Sequence, residues 1–244
     1  MADTHEIFKF TVRSYECAPD GCLTLANLCN YLQEAASVNA GHLGFSKTDF
    51  NAAGKDITWV LTRMHVKIAT YPKWGDDAFV TTFPRIGRRI TAYRDFIVHD
   101  ANGGELARAT TEWMVIDMAS RRPLPIPDFV FASANDVREP VLGERMEPLP
   151  KLSPENFSQT FATRALKSDM DLNRHVNNVR YITWILESLP DDAPPVSEIS
   201  LAFRSEALAG DEVTGHTNAA SPSETFVRLV SASGSEITTA LVRF

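Results

Sequence analysis

The deciding stretch of this sequence is Asp169-Met-Asp-Leu-Asn-Arg-His-Val-Asn-Asn-Val-Arg-Tyr-Ile-Thr-Trp-Ile-Leu-Glu-Ser-Leu-Pro190. Its first half carries a polar residue at every second position, namely Asp169, Asp171, Asn173, His175 and Asn177. Alternate side chains of an extended segment point to the same side. We therefore expect Asp171, Asn173 and His175 to face one cavity together.

The second half of the stretch changes to the period of a helix. Its apolar residues share one helical face, and they are Val179, Ile182, Ile185, Leu186 and Leu189. Asn177 or Asn178 is a suitable N-cap, and Pro190 is a stop signal. A helix N-terminus has unpaired N–H groups and a positive dipole end, so it can stabilise a carboxylate or a carbonyl oxygen that gains charge. A turn followed by a helix cap is the simpler interpretation of the same polar residues.

The composition is that of an ordinary globular protein. The 244 residues, with 44% apolar and 23% charged side chains, suit one large domain or two of about 120 residues. The formal charge of −7 argues against general nucleic-acid binding. No apolar run approaches the roughly 20 residues of a membrane span.

The cysteines and the N-terminal sequence indicate a reducing compartment. Cys17, Cys22 and Cys29 form no Cys-x-x-Cys pair, so neither a disulfide framework nor a zinc site is expected. No other cluster has metal-ligand spacing, and we predict no metal and no cofactor. The sequence Met-Ala-Asp-Thr-His-Glu is typical of neither a signal peptide nor a transit peptide, which favours the cytoplasm.

The two halves of the chain repeat one plan. The matching segments are Phe10-Thr-Val-Arg13 with Phe161-Ala-Thr-Arg164, Gly75-Asp-Asp77 with Gly210-Asp-Glu212, and 103–109 with 234–240. Any one match is explained by chance, but matches in the same order indicate a duplicated unit.

Each repeat is predicted to contain a strand, a helix and several antiparallel strands. In the first half we expect a strand at 7–16, a helix at 23–36, a polar loop at 37–56, and strands at 57–71, 77–85, 90–100 and 105–118. A curved antiparallel sheet around one central helix is the natural arrangement, so the predicted fold class is α+β. The predicted domains are 1–127 and 156–244, joined by a proline-containing linker at 128–155.

The central stretch resembles the active-site segment of the fatty acyl-ACP thioesterases of plants and bacteria. The shared pattern is Asp171-x-Asn-x-His-Val-Asn-Asn-x-x-Tyr-Ile-x-Trp-x-Leu-Glu-Ser188. Further similar segments are Trp59-Val-Leu-Thr-Arg63-Met, Tyr71-Pro-Lys-Trp-Gly-Asp76, Ser120-Arg-Arg-Pro-Leu-Pro-Ile-Pro127 and Leu201-Ala-Phe-Arg-Ser-Glu206. The resemblance implies a tandem pair of hotdog domains within one chain, as a monomer or a homodimer, and hydrolysis of acyl-ACP to free fatty acid.

The chain departs from the plant members of this family at one position. They carry a cysteine after the glutamate, where this chain has Ala207, so a cysteine nucleophile is not available there. The missing plastid-targeting region indicates a bacterial protein.

Catalytic groups are expected only in the second half, because the first half has Pro19-Asp-Gly-Cys-Leu23 in place of the polar row. Thioester hydrolysis needs a positioned water, a base and stabilisation of the oxyanion. His175 is the best candidate for the base, although a structural histidine is the plain alternative. Asn173 is a candidate to orient the water or the carbonyl, and Asp171 to orient His175 or Asn173. Glu206, which matches the family's glutamate, is a candidate to hold the water or to act as the base.

The first half is free to hold the acyl chain. A long tail needs a deep and mostly apolar pocket, which we expect beside the helix at 23–36 and the strands from 57 onward. Leu28, Leu32 and Trp59 are the candidate lining residues.

A basic segment in the first half suggests an acidic partner. Residues 57–127 carry ten Lys and Arg and seven Asp and Glu, a net charge of +3 on a chain of −7. The densest cluster is Arg85, Arg88 and Arg89, which we predict to bind acyl carrier protein. An ordinary solvated face is the alternative for each arginine. An acyl-CoA thioesterase would not use such a face, and a non-catalytic acyl-thioester binding protein would need the pocket without the catalytic set.

Overall fold

Each half of the chain folds as a helix packed on an antiparallel sheet, which confirms the predicted α+β class. The computed structural model describes residues 4–133 and 138–244. They form two compact units, divided after Met146. This division falls inside the segment 128–155 that we predict as the linker. None of the helices in the described ranges has the length and apolar character needed to cross a membrane.

The first unit contains six strands and three α-helices. Its strands are β1 (Glu6–Thr11), β2 (Ile57–Ile68), β3 (Asp77–Arg88), β4 (Thr91–His99), β5 (Glu105–Asp117) and β6 (Pro123–Leu124). Its helices are α1 (Leu25–His42), α2 (Lys47–Ala52) and α3 (Asp128–Ser133). The strands pair in the order β1-β3-β4-β5-β2, with β6 on β5, and all the described pairings are antiparallel.

Helix α1 is longer than the hydrophobic period predicts. Thr24 caps it by accepting a hydrogen bond from the Asn27 N–H, and its apolar face is buried against the sheet. The apolar period ends near Ala36, but the helix continues to His42 because Asn39 enters a buried polar network. The Asn39 Oδ1 atom accepts from the Arg94 guanidinium at 2.6 Å. A hydropathy pattern does not contain such a contact.

An apolar cluster lies between the two short helices of the first unit and its sheet. It holds the two short helices against the sheet through Phe45, Phe50, Ile57, Ala92, Val115, Ile126 and Val130. Helix α3 contributes Val130, so the early part of the predicted linker packs on the N-terminal core.

The second unit repeats the plan with fewer elements. Its strands are β7 (Ser158–Arg164), β8 (Glu198–Phe203), β9 (Glu212–Ser221), β10 (Glu224–Ser231) and β11 (Glu236–Arg243), and its helix is α4 (Asn178–Glu187). The strands pair in the order β8-β11-β10-β9-β7. Gly215 on β9 lets the end of α4 pack closely, because a Cβ there would lie 2.0 Å from the Ser188 Oγ.

Candidate active site

The polar row before α4 forms a tight turn instead of an extended segment. The Asp171 N–H donates to the His175 carbonyl at 2.8 Å, and Arg174 has a φ of 65°. The Asp171 Oδ1 atom accepts from the backbone N–H groups of Asn173 at 2.7 Å and His175 at 3.2 Å. Our expectation of alternating side chains was therefore wrong, because a short-range aspartate hydrogen bond competes with extended backbone.

The helix that follows begins where the sequence predicts. Asn177 is the N-cap, and its side chain accepts from the Val179 N–H at 2.9 Å. The Asn177 N–H donates in turn to the Asp169 carbonyl at 2.9 Å. The cap thus attaches the polar turn at 171–175 to the first turn of α4.

The structure brings His175 and Glu206 together. The His175 Nε2 atom lies 3.4 Å from the Glu206 Oε2 atom. The two side chains are 27% and 39% exposed, so solvent reaches both. Their backbones are aligned by a bond from the Val176 N–H to the Ala207 carbonyl at 3.0 Å. An imidazole and a carboxylate therefore lie side by side at a partly exposed place in the second unit.

The Tyr181 hydroxyl binds the backbone next to Glu206. The Ala207 N–H donates to the Tyr181 Oη at 2.9 Å. Burial raises the pKa of Tyr181 to about 12, so its hydroxyl stays neutral at physiological pH. Its ring packs edge-on against Trp184 and Phe203. We assigned this residue no role from the sequence, although its place as the one tyrosine on the apolar face of α4 was a usable signal.

The other two predicted catalytic residues lie on the same turn in different surroundings. Asp171 is partly buried and holds the turn through backbone N–H groups, so it acts on His175 through the main chain. Asn173 is exposed, and its amide Nδ2 lies 3.4 Å from the Asp171 Oδ2. The turn therefore carries an amide and a histidine on a backbone that Asp171 holds in place.

The corresponding turn of the first unit has no such set. There the Ala18 N–H donates to the Cys22 carbonyl at 2.8 Å, and the Leu23 N–H donates to the Pro72 carbonyl at 2.8 Å. These bonds match those at Asp171 and Val176, so Cys22 occupies the position of His175 and Tyr71 that of Glu206. The two units thus share these backbone hydrogen bonds, but they carry different side chains at the matching positions.

The three residues predicted to line the acyl pocket lie in or beside the core of the first unit. Leu28 and Leu32 are 1% and 0% exposed. Trp59 is partly buried, donates its indole N–H to the Phe45 carbonyl at 2.8 Å, and contacts the ring of Phe50. A ligand in this region would have to displace or lie beside these side chains.

The three arginines of the predicted cluster lie in different surroundings. The Arg85 Nε donates to the fully buried Asp95 carboxylate at 2.6 Å, and the guanidinium lies over the Tyr93 ring. Arg85 is therefore occupied within the fold. Arg88 and Arg89 are exposed at the β3–β4 hairpin, so the carrier-protein prediction now depends on these two.

In the residues that the structure describes, no group of three or more His, Cys, Asp and Glu side chains is placed to hold a metal ion.

The chain belongs to the acyl-ACP thioesterase family. The N-terminal domain model of this family matches residues 5–133, and the C-terminal domain model matches residues 152–244. This confirms the family resemblance seen in the central stretch, and with it the tandem hotdog fold.

Named relatives and solved structures agree with this assignment. The chain is 32% identical to oleoyl-acyl carrier protein thioesterase 2 of Arabidopsis thaliana over 93% of its own length and 66% of that protein. It is 35% identical to a palmitoyl-acyl carrier protein thioesterase of Gossypium hirsutum over 81% of its length and 51% of that protein. The chain thus spans between half and two thirds of these relatives, both of which are named as chloroplastic.

Two solved structures match almost the whole chain. An acyl-ACP thioesterase from Bacteroides thetaiotaomicron aligns with a TM-score of 0.88 at 25% identity, covering 99% of this chain and 98% of that one. A 12:0-ACP thioesterase from Umbellularia californica aligns with a TM-score of 0.85 at 27% identity, covering 100% and 98%.

Proposed function

We propose that this protein hydrolyses the thioester of fatty acyl carrier protein to free fatty acid and carrier protein. The observation that carries the proposal is the 3.4 Å approach of the His175 Nε2 to the Glu206 Oε2, beside the N-terminus of α4. Family membership supports the substrate class.

The proposed reaction is direct attack by water. His175 takes a proton from a water molecule as its oxygen attacks the thioester carbonyl carbon. The carbonyl oxygen becomes an oxyanion, and in this proposal the Asn173 amide and the N-terminus of α4 stabilise it. When the oxyanion collapses, the C–S bond breaks, and the proton held by His175 passes to the leaving sulfur. Water thus supplies the hydroxyl of the fatty acid and the hydrogen of the carrier thiol.

The remaining residues position these groups. Glu206 stabilises the imidazolium that forms on His175, or orients the attacking water. Asp171 holds the turn that carries His175 and Asn173, and Tyr181 holds the backbone beside Glu206. No cysteine takes part, because Ala207 has no nucleophilic group.

His175→Ala should lower kcat about a hundredfold or more with acyl-ACP as substrate, because it removes the base. Asn173→Ala should lower kcat to a similar extent, because it removes a positioned dipole. Both variants should keep the circular dichroism spectrum of the wild type.

Cys22→Ala is the matched control, since Cys22 holds the same turn position in the first unit. It should retain wild-type turnover. Near-normal turnover in both His175→Ala and Asn173→Ala would remove the second unit from consideration as the site of catalysis.

We further propose that carrier protein, and not CoA, is the preferred acyl donor, with Arg88 and Arg89 among its contacts. Their side chains make no ion pair with the described part of the chain, so they are available to an acidic partner. The acyl tail is proposed to lie in the first unit, beside α1 and Trp59. A cytoplasmic location in a bacterium is part of the proposal, supported by the three free cysteines and the Bacteroides structure.

A further inference from the structure

A cavity of about 430 Å³ lies on the second unit, in a region that the proposed reaction does not use. It is formed by strands β10 and β11 together with the segment before β7. Its polar lining residues are Lys151, Arg204, Arg228, Glu236 and Thr239. This volume falls within the range of small-molecule sites, which runs from about 300 to 1,000 Å³.

One pair of charges in this groove is already satisfied. The Arg228 Nε donates to the Glu236 Oε1 at 2.7 Å, and the Arg228 guanidinium lies 5.1 Å from the centre of the Phe157 ring. The Arg228 guanidinium therefore neutralises the charge of the Glu236 carboxylate, and its contacts with Glu236 and Phe157 fix its position in the lining of the groove.

Two further cations of the groove have no partner among the described residues. The side chains of Lys151 and Arg204 make no hydrogen bond or ion pair with the residues described here, and both are exposed. Thr239 adds a buried hydroxyl, and no partner for its Oγ1 is found in the described ranges. The groove thus presents two positive charges that no described side chain compensates.

The rest of the lining is mostly apolar. Leu149, Pro150 and Leu152 come from one side, and Phe226 and Ala240 come from the strands. A site with cationic groups beside an apolar wall is complementary to an amphipathic anion. A polar sugar or a nucleotide would leave the apolar wall unmatched.

We infer that this groove binds a medium-chain carboxylate, with the carboxylate on Lys151 and Arg204 and the alkyl chain against the apolar wall. The ligand belongs to the same chemical class as the proposed product, so this choice of ligand rests on the proposed function. Binding of the ligand does not require catalysis. The site is distinct from the His175–Glu206 pair. It adjoins the same segment, because the Arg204 and Ser205 N–H groups donate to the Ile237 carbonyl on β11, ahead of Glu206.

The test is calorimetric titration of the full chain with dodecanoate below its micelle concentration. Lys151→Gln with Arg204→Gln should weaken binding about tenfold or more, because two charge-assisted contacts are lost. Lys55→Gln with Arg122→Gln is the matched control, since it also removes two exposed cations, and it should bind like the wild type. Dodecanol, which has the tail without the charge, should bind more weakly than dodecanoate.

Photocrosslinking locates the bound molecule independently of these variants. A diazirine-labelled dodecanoate should mark peptides within 149–157 or 226–240 of the wild-type protein, and also of His175→Ala. Labelling confined to other peptides, whether near His175 or beside α1, would overturn the inference, as would equal affinity in the double variant. If the protein hydrolyses acyl-ACP but the groove is not labelled, only this inference is contradicted. If the groove is labelled but the protein does not hydrolyse acyl-ACP, only the proposed function is contradicted.

Discussion

Glu206 has two candidate roles in this site. It can stabilise the imidazolium of His175, or it can orient the attacking water. It lies on the loop after β8, and the Ala207 N–H bond to Tyr181 holds its backbone. A carboxylate near a histidine favours the imidazolium, so it helps at the moment when His175 carries the proton.

Glu206→Gln should cut kcat strongly with little change in KM, because it keeps the size and hydrogen bonding of the side chain while removing its charge. Rapid mixing of wild-type enzyme with acyl-ACP should show no burst of carrier thiol, since direct attack by water leaves no acyl-enzyme to accumulate. A burst, or an acylated peptide found by mass spectrometry, would sink the direct-water mechanism. A fully active Glu206→Gln enzyme would remove only this residue from it.

Arg85 has a structural role that its neighbours Arg88 and Arg89 lack. Its partner Asp95 is fully buried and also accepts from the Thr110 hydroxyl. Arg85→Met should destabilise the fold by about 3 kcal/mol or more, because breaking a buried pair leaves an uncompensated charge. Arg88→Met, an exposed change of the same chemistry, should leave the midpoint of urea unfolding unchanged. Equal midpoints for the two variants would show that the Asp95 pairing contributes nothing measurable.

At the scale of elements, α1 and α4 occupy equivalent places in the two units and are assigned different tasks. Leu32 on α1 and Ile185 on α4 are both 0% exposed and hold the same place in the repeat. Either residue changed to alanine opens a cavity and costs about 2–5 kcal/mol. Only α1 is proposed to border the acyl tail.

Leu32→Ala should therefore shift the chain-length preference toward longer acyl groups, because it makes room beside α1. Ile185→Ala should lose a similar amount of stability without that shift. The measurement is kcat/KM over a panel of acyl-ACPs of increasing length, with unfolding midpoints for both variants. Identical chain-length profiles in the wild type and Leu32→Ala would place the tail elsewhere.

At the scale of the whole molecule, charge is distributed unevenly along the chain. The net charge is −7, whereas residues 57–127 carry +3. Such a basic segment on an acidic protein favours encounter with an acidic partner, and the effect weakens as salt rises. The two arginines of the β3–β4 hairpin are among its exposed cations.

Arg88→Glu with Arg89→Glu should raise KM for acyl-ACP and reduce its dependence on salt, because an attractive pair of charges becomes repulsive. The same variant should turn over acyl-CoA as the wild type does, which makes CoA the internal control. Equal effects on both donors would count against a carrier-protein surface at this hairpin.

The sequence by itself determined the parts of this protein that short-range physics controls. The apolar period and the Asn177 cap located α4, and the ordered repeats predicted two units of one plan. Hydrogen bonds within a few residues and the burial of one helical face decide these features, so they are visible in a local pattern. The polar row and the family motif gave Asp171, Asn173 and His175 as candidates, and the family resemblance added Glu206.

Only the tertiary structure decided which side chains meet and which are enclosed. It replaced the extended polar row by a turn closed on Asp171, and it brought Glu206 to His175 from a distant loop. It also turned Arg85 inward to Asp95 and extended α1 through the buried Asn39. The turn is closed by hydrogen bonds within residues 171–175, whereas the other outcomes depend on contacts between different elements of the fold. Their energies come from desolvation and packing, which no window of neighbouring residues contains.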